Sequence, residues 1–212
     1  MGAENTTIFV VAHNHVEEIA NLIDISPNAA FARLASIADH RLKACLRQTV
    51  TYDYIAANHS LRSALELHLA GIEFSVNEFK YREWDLGKRD INWKSMVDKE
   101  IGVFSKNFTF AFYPDLVDLL TLHRSVAMSL YSSCSRYVHC NPSATSQSIL
   151  ADAFNEEEFL KIVEKVSSLR TVAYFGFLLR FADTLTADSF LKIESAVMDI
   201  FGHTAEIRKL YE

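Results

Sequence analysis

Turn-forming residues are scarce in this chain, which has six Gly and three Pro among its 212 residues. Folds made of strands and tight turns, and small loop-rich folds, need many more of both residues. The scarcity therefore predicts an all-α protein with long helices. Half of the residues are apolar, which is enough for a sizeable core. A chain of this length most often forms one domain, and we expect a single helical domain over residues 1–212.

Start and stop signals locate several of the helices. Ser26 followed by Pro27 predicts a helix that begins with Ser26 as its N-cap. Asn155, with Glu158 three residues later, is typical of a capping box at the start of another long helix. Gly202 is placed to end the last long helix, because glycine is common just beyond helix C-termini.

Other segments have mixed patterns. Residues 6–12 are β-branched and apolar, which fits either a short N-terminal strand or the start of a helix. The polar residues 85–92 and the Ser/Thr/Asn-rich residues 141–153 predict loops. A helix is predicted from residue 93 to about residue 105. The aromatic run 108–113 alternates as a strand would, but it is short and is predicted to be an irregular connection.

The charge balance limits the classes of partner. A formal net charge of −6 argues against broad electrostatic binding to nucleic acid. Residues 41–110 nevertheless contain eleven positive and nine negative side chains, whereas residues 1–40 contain one and five. This asymmetry indicates either a solvated basic face or a local site for a polyanion.

The cysteines and the apolar stretches argue against other classes. Cys45, Cys134 and Cys140 form no Cys-x-x-Cys pair, and they predict neither a disulfide framework nor a zinc site. The sequence contains no metal or phosphate-loop motif, and we expect no cofactor. The longest apolar stretch, residues 171–179, has about half the length that a membrane span needs. Because the chain also begins without a signal-peptide pattern, the sequence predicts a cytoplasmic protein with no membrane partner.

A polar stripe lies on the helix that is predicted from Pro114 to about His139. Tyr131, Ser135 and His139 are four residues apart on one side of that helix, and Arg136 lies one turn before His139. Polar groups aligned in this way, next to a leucine-rich face, could form a pocket. In the alternative interpretation, the hydroxyl groups bind neighbouring atoms, and the helix dipole favours a histidine at this end.

A charged pair lies on an earlier helix. Arg62 and Glu66 are four residues apart, so their side chains can meet on one side of that helix. The pair is either part of a substrate site or a buried pair that holds two helices together. Removing one partner of a buried pair typically costs several kcal/mol.

Two segments, residues 61–69 (LRSALELHL) and 130–142 (LYSSCSRYVHCNP), carry a resemblance to known proteins. Together they resemble bacterial helical proteins of the HEPN superfamily and their relatives of unknown function. The shared features are a long helix with an arginine and a later helix that ends in a Ser/Tyr-rich segment with a histidine. The resemblance extends over about residues 58–143 and implies an antiparallel helical bundle that often dimerises.

Active members of that superfamily cleave RNA without a metal ion, at an Arg-x4–6-His motif in the dimer interface. The resemblance therefore implies a homodimer that acts on or binds RNA, as a metal-independent ribonuclease in a bacterial defence or toxin–antitoxin setting. Histidine can move a proton near neutral pH and arginine can hold a phosphate, which suits this chemistry. By the resemblance, Arg136 and His139 are the catalytic pair, and Arg62, Glu66, Tyr131 and Ser135 shape the substrate site.

A second hypothesis is a non-catalytic interaction or regulatory module that binds a partner protein. The spacing in this chain is Arg-x2-His, because residues 132–134 contain no arginine, and this departs from the catalytic motif. Residues 172–182 are apolar on most sides, which indicates either the centre of a core or a subunit interface.

Overall fold

Side chains that cap the helix starts explain where several long helices begin. Asn28, Asp53 and Asn155 each accept a hydrogen bond from the backbone N–H three residues further on, which satisfies a donor without a partner inside the helix. The computed structural model describes residues 2–139, 141–142 and 153–211. This part of the chain forms ten α-helices: α1 (Ala3–Asp24), α2 (Ala29–Val50), α3 (Tyr54–Ser75), α4 (Glu78–Asp85), α5 (Trp93–Met96), α6 (Lys106–Phe112), α7 (Leu120–Val138), α8 (Glu156–Phe181), α9 (Ala187–Phe201) and α10 (Ala205–Arg208).

The predicted all-α class is confirmed, since the described residues contain helices and no strand. Residues 6–12 lie within α1, so the helix is the observed alternative for this segment. The predicted helix start at Asn155 and the helix end at Gly202 are also confirmed. The loop predicted over residues 85–92 is observed from residue 86, whereas most of the loop predicted over residues 141–153 lies outside the described residues.

Some predicted boundaries are wrong. The N-cap of α2 is Asn28 rather than Ser26, because the Ser26 hydroxyl accepts a hydrogen bond from the Asn28 backbone N–H before the helix starts. The helix predicted to reach about residue 105 ends at Met96. Just beyond it, the Asp98 carboxylate accepts hydrogen bonds from the backbone N–H groups of Glu100 and Ile101 and so favours a turn.

The aromatic run also differs from the prediction. Its residues up to Phe112 belong to α6, because the Ser105 hydroxyl accepts a hydrogen bond from the Phe108 N–H and caps a new helix. The long helix predicted from Pro114 begins as a 3-10 helix, Pro114–Leu119, and becomes α-helical at Leu120.

Consecutive long helices run antiparallel. Gln48 near the end of α2 meets Ser60 near the start of α3. In the same way, Tyr137 near the end of α7 meets Glu158 at the start of α8. α8 contacts α1, α3 and α7, and α3 contacts α2, α7 and α8, so these two helices form the centre of the bundle.

The apolar half of α8 occupies the core. Between Val172 and Phe181 every residue except Arg180 is buried. Gly176 allows a close approach to α3, because a Cβ atom there would lie 2.6 Å from Cδ1 of Ile72. This segment is therefore covered within the chain itself, and it no longer supports the hypothesis of a partner-protein interface. No helix in the described ranges has the length and apolar content needed to cross a membrane.

The residues between α3 and α7 form an excursion from the long helices. It contains α4, α5, α6 and the 3-10 helix, which contact α3, α7 and α8. The loop between α4 and α5 runs beside the contact of α3 with α7, and this position brings its side chains to the candidate site.

Candidate functional site

The structure brings together three of the residues predicted to shape a substrate site. Nη2 of Arg62 on α3 donates a hydrogen bond of 2.6 Å to the hydroxyl of Tyr131 on α7. The same atom lies 3.4 Å from Oε1 of Glu66. The central carbon of the guanidinium lies 4.4 Å from the centroid of the Tyr131 ring, close enough for a cation–π interaction. The charged pair therefore links α3 to α7 through an aromatic residue.

Trp93 at the start of α5 completes this cluster. Its ring stacks on that of Tyr131 with the centroids 4.0 Å apart and the planes 5° from parallel. Trp93 is not among the site residues predicted from the sequence. The available signal was an aromatic residue next to a polar loop with several cations, a combination that is common in sites for single-stranded nucleic acid.

The loop before Trp93 starts at a sharp turn that ends α4. Gly87 has φ +66°, a conformation that glycine adopts readily. Its N–H donates to the carbonyl of Trp84, and the N–H of Lys88 donates to the carbonyl of Glu83. This hydrogen-bond pair is the Schellman arrangement of a helix C-terminus, and it turns the chain back towards α3.

Side-chain contacts then hold the loop in place. Nε of Arg89 lies 2.7 Å from a carboxylate oxygen of Glu83 on α4. Asn92 accepts a hydrogen bond from the N–H of Ser95 and caps α5. The Ser95 hydroxyl donates to Glu73 on α3. The segment that carries Trp93 is therefore attached to α4 before Trp93 and to α3 after it.

A cavity of about 740 Å³ opens at this cluster. We call it the Trp93 pocket, and its lining residues are Arg62, Glu66, Lys88, Arg89, Asp90, Ile91, Asn92, Trp93, Lys94 and Tyr131. The lining contains four cationic side chains and two carboxylates, in a protein whose net charge is negative. The local excess of positive charge makes the pocket suited to an anionic ligand.

Several of the cations are available to a ligand. Lys88 and Lys94 are exposed and form no ion pair with any described residue. Within the described ranges, the hydrogen bonds of the Arg62 guanidinium involve Nη2, which leaves Nη1 as a spare donor. Burial raises the pKa of the Glu66 carboxyl, although the charge of Arg62 opposes this shift.

The other predicted site residues lie elsewhere. Ser135 does not line the Trp93 pocket, and its hydroxyl donates to the backbone carbonyl of Tyr131. The alternative interpretation of the polar stripe therefore holds for Ser135. Arg136 and His139 are exposed at the end of α7 and are also absent from the lining. Of the polar stripe, Tyr131 alone lines the Trp93 pocket.

A second arginine cluster joins α1, α8 and α9. The Arg170 side chain is 6 % exposed, and its Nε lies 2.5 Å from a carboxylate oxygen of Glu18. Its Nη1 lies 2.6 Å from a carboxylate oxygen of Asp199. The hydroxyl of Tyr174, one turn further along α8, donates to the backbone carbonyl of Glu18.

Neither a metal centre nor a known relative helps to assign this site. Among the residues that the structure describes, no group of three His, Cys, Asp or Glu side chains is arranged to hold a metal ion. Cys45 and Cys134 are buried free thiols. Comparisons of this chain with protein-family models, with curated proteins and with solved structures found no match.

Proposed function

We propose that this protein binds single-stranded RNA in the Trp93 pocket. The observation that carries the proposal is the parallel stack of Trp93 on Tyr131 beside Arg62, in a pocket with an excess of cations. Aromatic side chains that stack on bases, together with cations that contact phosphates, are the usual components of single-strand binding sites. The predicted substrate residues Arg62, Glu66 and Tyr131 contribute to this site.

Each component has a role in the proposed complex. Trp93 is half-buried, so part of its ring is accessible for a base to contact. Lys88 and Lys94 are exposed cations at the same opening and would neutralise phosphates. The Glu66 carboxylate is a hydrogen-bond acceptor, and a ribose 2′-hydroxyl is a donor that DNA lacks. We therefore expect RNA to bind more tightly than DNA of the same sequence.

The two tryptophans of the chain allow a direct test. Trp84 lies on α4, where it packs against Phe74 and Tyr81 and does not line the pocket. In a Trp84→Phe variant, Trp93 is the single tryptophan, and we expect oligoribonucleotides to quench its fluorescence. In a Trp93→Phe variant, the remaining signal from Trp84 should not respond to RNA.

Affinity measurements with matched variants complete the test. Trp93→Ala should weaken RNA binding by about tenfold or more, because loss of one base–aromatic stack costs about 1–3 kcal/mol. Trp84→Ala serves as the control for removing a half-buried tryptophan, and it should leave the affinity unchanged. Circular dichroism shows whether both variants remain folded. A wild-type protein that binds no RNA, or equal affinities of the two variants, would contradict the proposal.

Metal-independent RNA cleavage by Arg136 and His139 is a second candidate function. The observation in its favour is that both side chains are exposed and three residues apart at the end of α7. Exposed residues of this kind are accessible to the same surface of a second copy, which a composite site in a homodimer would require. The Arg-x2-His spacing remains the observation against it.

The cleavage assay uses purified protein and single-stranded RNA in EDTA, beside an Arg136→Ala/His139→Ala double variant. Because both residues are exposed, the double variant should keep the stability of the wild type. Cleavage by the wild type that is absent in the variant would support catalysis at this pair. Binding of RNA without cleavage would leave the protein as an RNA-binding module.

A further inference from the structure

A second cationic cavity lies between the residues that follow α5 and the start of α7. Its volume is about 380 Å³, and its lining residues are Lys99, Glu100, Phe104, Lys106, Val117, Leu120, Thr121 and Arg124. We call it the Lys99 pocket. It contains three cations and one carboxylate, so it shares the local positive excess of the Trp93 pocket. Lys99 and Lys106 are exposed and form no ion pair with any described residue.

The two pockets are neighbours on the same helix. Arg124 lines the Lys99 pocket and Tyr131 lines the Trp93 pocket, and both residues belong to α7. They are seven residues apart, which places them on one side of the helix at a separation of about 10 Å along its axis. Lys94 on α5 lines the Trp93 pocket, and Lys99 on the turn after α5 lines the Lys99 pocket. Two cationic cavities therefore follow one another along α7.

Hydrogen bonds and close packing hold the segment between the two pockets in place. Nε of Arg124 donates a hydrogen bond of 2.7 Å to the carbonyl of Val97, which attaches the end of α5 to α7. Two backbone N–H groups bind the Asp98 carboxylate and lower its pKa. Gly102 is tightly enclosed, because a Cβ atom there would lie 2.5 Å from the carbonyl oxygen of Met96. Lys99 is therefore displayed on an ordered turn.

We propose that the RNA strand continues from the Trp93 pocket into the Lys99 pocket. A base stacks at Trp93, and the phosphates that follow it along the strand contact Lys99, Lys106 and Arg124. The ligand class is then a polynucleotide of several residues rather than a mononucleotide, because one nucleotide cannot occupy both pockets. This inference rests on the proposed RNA-binding function of the Trp93 pocket. It adds that the bound strand runs along α7.

The test compares oligoribonucleotides of two lengths, a dinucleotide and a strand of about eight nucleotides, which is within the usual span of a single-strand site. The variant is Lys99→Ala/Lys106→Ala. The control is Lys192→Ala/Lys209→Ala, which removes the same charge from two exposed lysines that line neither pocket. All four substitutions are at exposed positions and should leave the fold intact.

We expect the wild type to bind the longer strand more tightly than the dinucleotide. Lys99→Ala/Lys106→Ala should weaken binding of the longer strand by about tenfold. It should also reduce the slope of log affinity against log salt by about 1.4, because each phosphate that a lysine no longer neutralises lowers that slope by about 0.7. Dinucleotide binding should stay unchanged, as should both ligands with the control variant.

Three outcomes would overturn the inference. If both double variants bind the longer strand equally while Trp93→Ala weakens it, the Trp93 pocket binds RNA alone. If strand length does not affect the affinity of the wild type, the ligand occupies one pocket and is a mononucleotide. If the wild type binds neither ligand, the proposed function fails and the continuation into the Lys99 pocket fails with it.

Discussion

Two arginines link helices in this protein, and their surroundings differ. Arg170 has carboxylates at 2.5 and 2.6 Å and a side chain that is 6 % exposed. Arg62 has one carboxylate at 3.4 Å, and its side chain is 18 % exposed. Arg62 also faces an open cavity with a stacked Tyr131 and Trp93.

The comparison separates a stabilising arginine from one that is available for binding. Every charge of the Arg170 cluster is used within the chain, and turning this side chain towards a ligand would break its ion pairs. Arg62 keeps a spare donor and lies beside Lys88 and Lys94, which have no ion-pair partner among the described residues. The (i, i+4) spacing identifies the Arg62–Glu66 pair in the sequence, whereas no local spacing identifies the partners of Arg170, which lie on α1 and α9.

The largest expected difference between the two regions is in stability. Arg170→Ala should lower the free energy of unfolding by about 3 kcal/mol, because it removes both ion pairs and the packing of an arginine side chain that is 6 % exposed, although the carboxylates that remain are 31 % and 69 % exposed. Arg62→Ala should cost about 1–2 kcal/mol, since this arginine is more exposed, at 18 %, and loses one ion pair at 3.4 Å and the hydrogen bond to Tyr131. Urea unfolding at neutral pH measures both values. Equal losses for the two variants would mean that exposure does not separate the clusters.

Acid should destabilise the protein independently of either arginine. His68 on α3 and His123 on α7 are buried, and burial lowers the pKa of each to about 4 from an ordinary value of 6.5. Below pH 6.5 the unfolded chain binds protons that the folded chain does not, so stability falls until about pH 4. The loss is about 3 kcal/mol for each histidine, at 1.36 kcal/mol per pKa unit.

The measurement is urea unfolding across that pH range, with His68→Leu as the variant. Both ring nitrogens of His68 lack a hydrogen-bond partner among the described residues, so an apolar residue of similar size should be tolerated. The variant should lose less stability in acid than the wild type. If the stability of the variant and that of the wild type fall equally with pH, protonation of His68 does not contribute to the loss. Above pH 6.5 these histidines do not add to the change in stability, so the Arg170→Ala and Arg62→Ala variants should be compared in that range.

Much of the fold could be predicted from local signals. The scarcity of Gly and Pro indicated the all-α class, and Asn155 and Gly202 marked true helix ends, because capping depends on a few adjacent residues. The start at Ser26 was wrong for the same local reason, since Asn28 two residues later is an equally good cap and is the one used. The early end of α5 depends on the Asp98 turn, which interrupts an otherwise helical pattern.

The candidate site was predictable only in part. The spacing of four residues identified Arg62 with Glu66, and Tyr131 was selected on a separate helix. The contact of Arg62 with Tyr131, and the stacking of Trp93 on Tyr131, depend on how α3, α5 and α7 pack against one another. Helical periodicity describes one helix at a time and contains no information on which helices become neighbours.

A smaller effect is expected for the pH dependence of RNA affinity. Burial raises the pKa of Glu66 above its ordinary value of 4.5, and a phosphate in the pocket favours the neutral acid. Binding is then coupled to proton uptake, so the affinity of the wild type should rise as the pH falls through that pKa. Glu66→Gln keeps an acceptor oxygen without the charge. It should bind RNA about fivefold more tightly at neutral pH, an effect of about 1 kcal/mol for one nearby charge.

Anisotropy titrations at several pH values measure this effect, and the Glu66→Gln affinity should be nearly independent of pH in the same range. Asp199→Asn in the Arg170 cluster is the matched control, and it should not change RNA affinity. A Glu66→Gln variant whose affinity follows the pH dependence of the wild type would show that another group titrates.

The smallest expected difference concerns two tyrosine hydroxyls, one in each cluster. Tyr131→Phe removes the hydrogen bond from Arg62 but keeps the ring for stacking on Trp93. Tyr174→Phe removes the hydrogen bond to the Glu18 carbonyl. Each should lower stability by about 1 kcal/mol. Tyr174→Phe should be the more costly, because the Tyr174 hydroxyl belongs to a buried residue, whereas Arg62 is 18 % exposed and can bind water in place of the Tyr131 hydroxyl.

For RNA affinity the expectation is reversed, because only Tyr131→Phe alters a residue of the Trp93 pocket. Tyr131→Phe frees one N–H of Arg62 Nη2, while the contact of Nη2 with Glu66 remains, so a phosphate gains one further donor and RNA affinity should stay equal or rise slightly. Tyr174→Phe should leave RNA affinity unchanged, because α1, α8 and α9 do not line the Trp93 pocket. Loss of RNA binding in Tyr131→Phe would mean that the hydroxyl positions Arg62 for the ligand. The cluster would then combine the structural role seen at Arg170 with the proposed binding role.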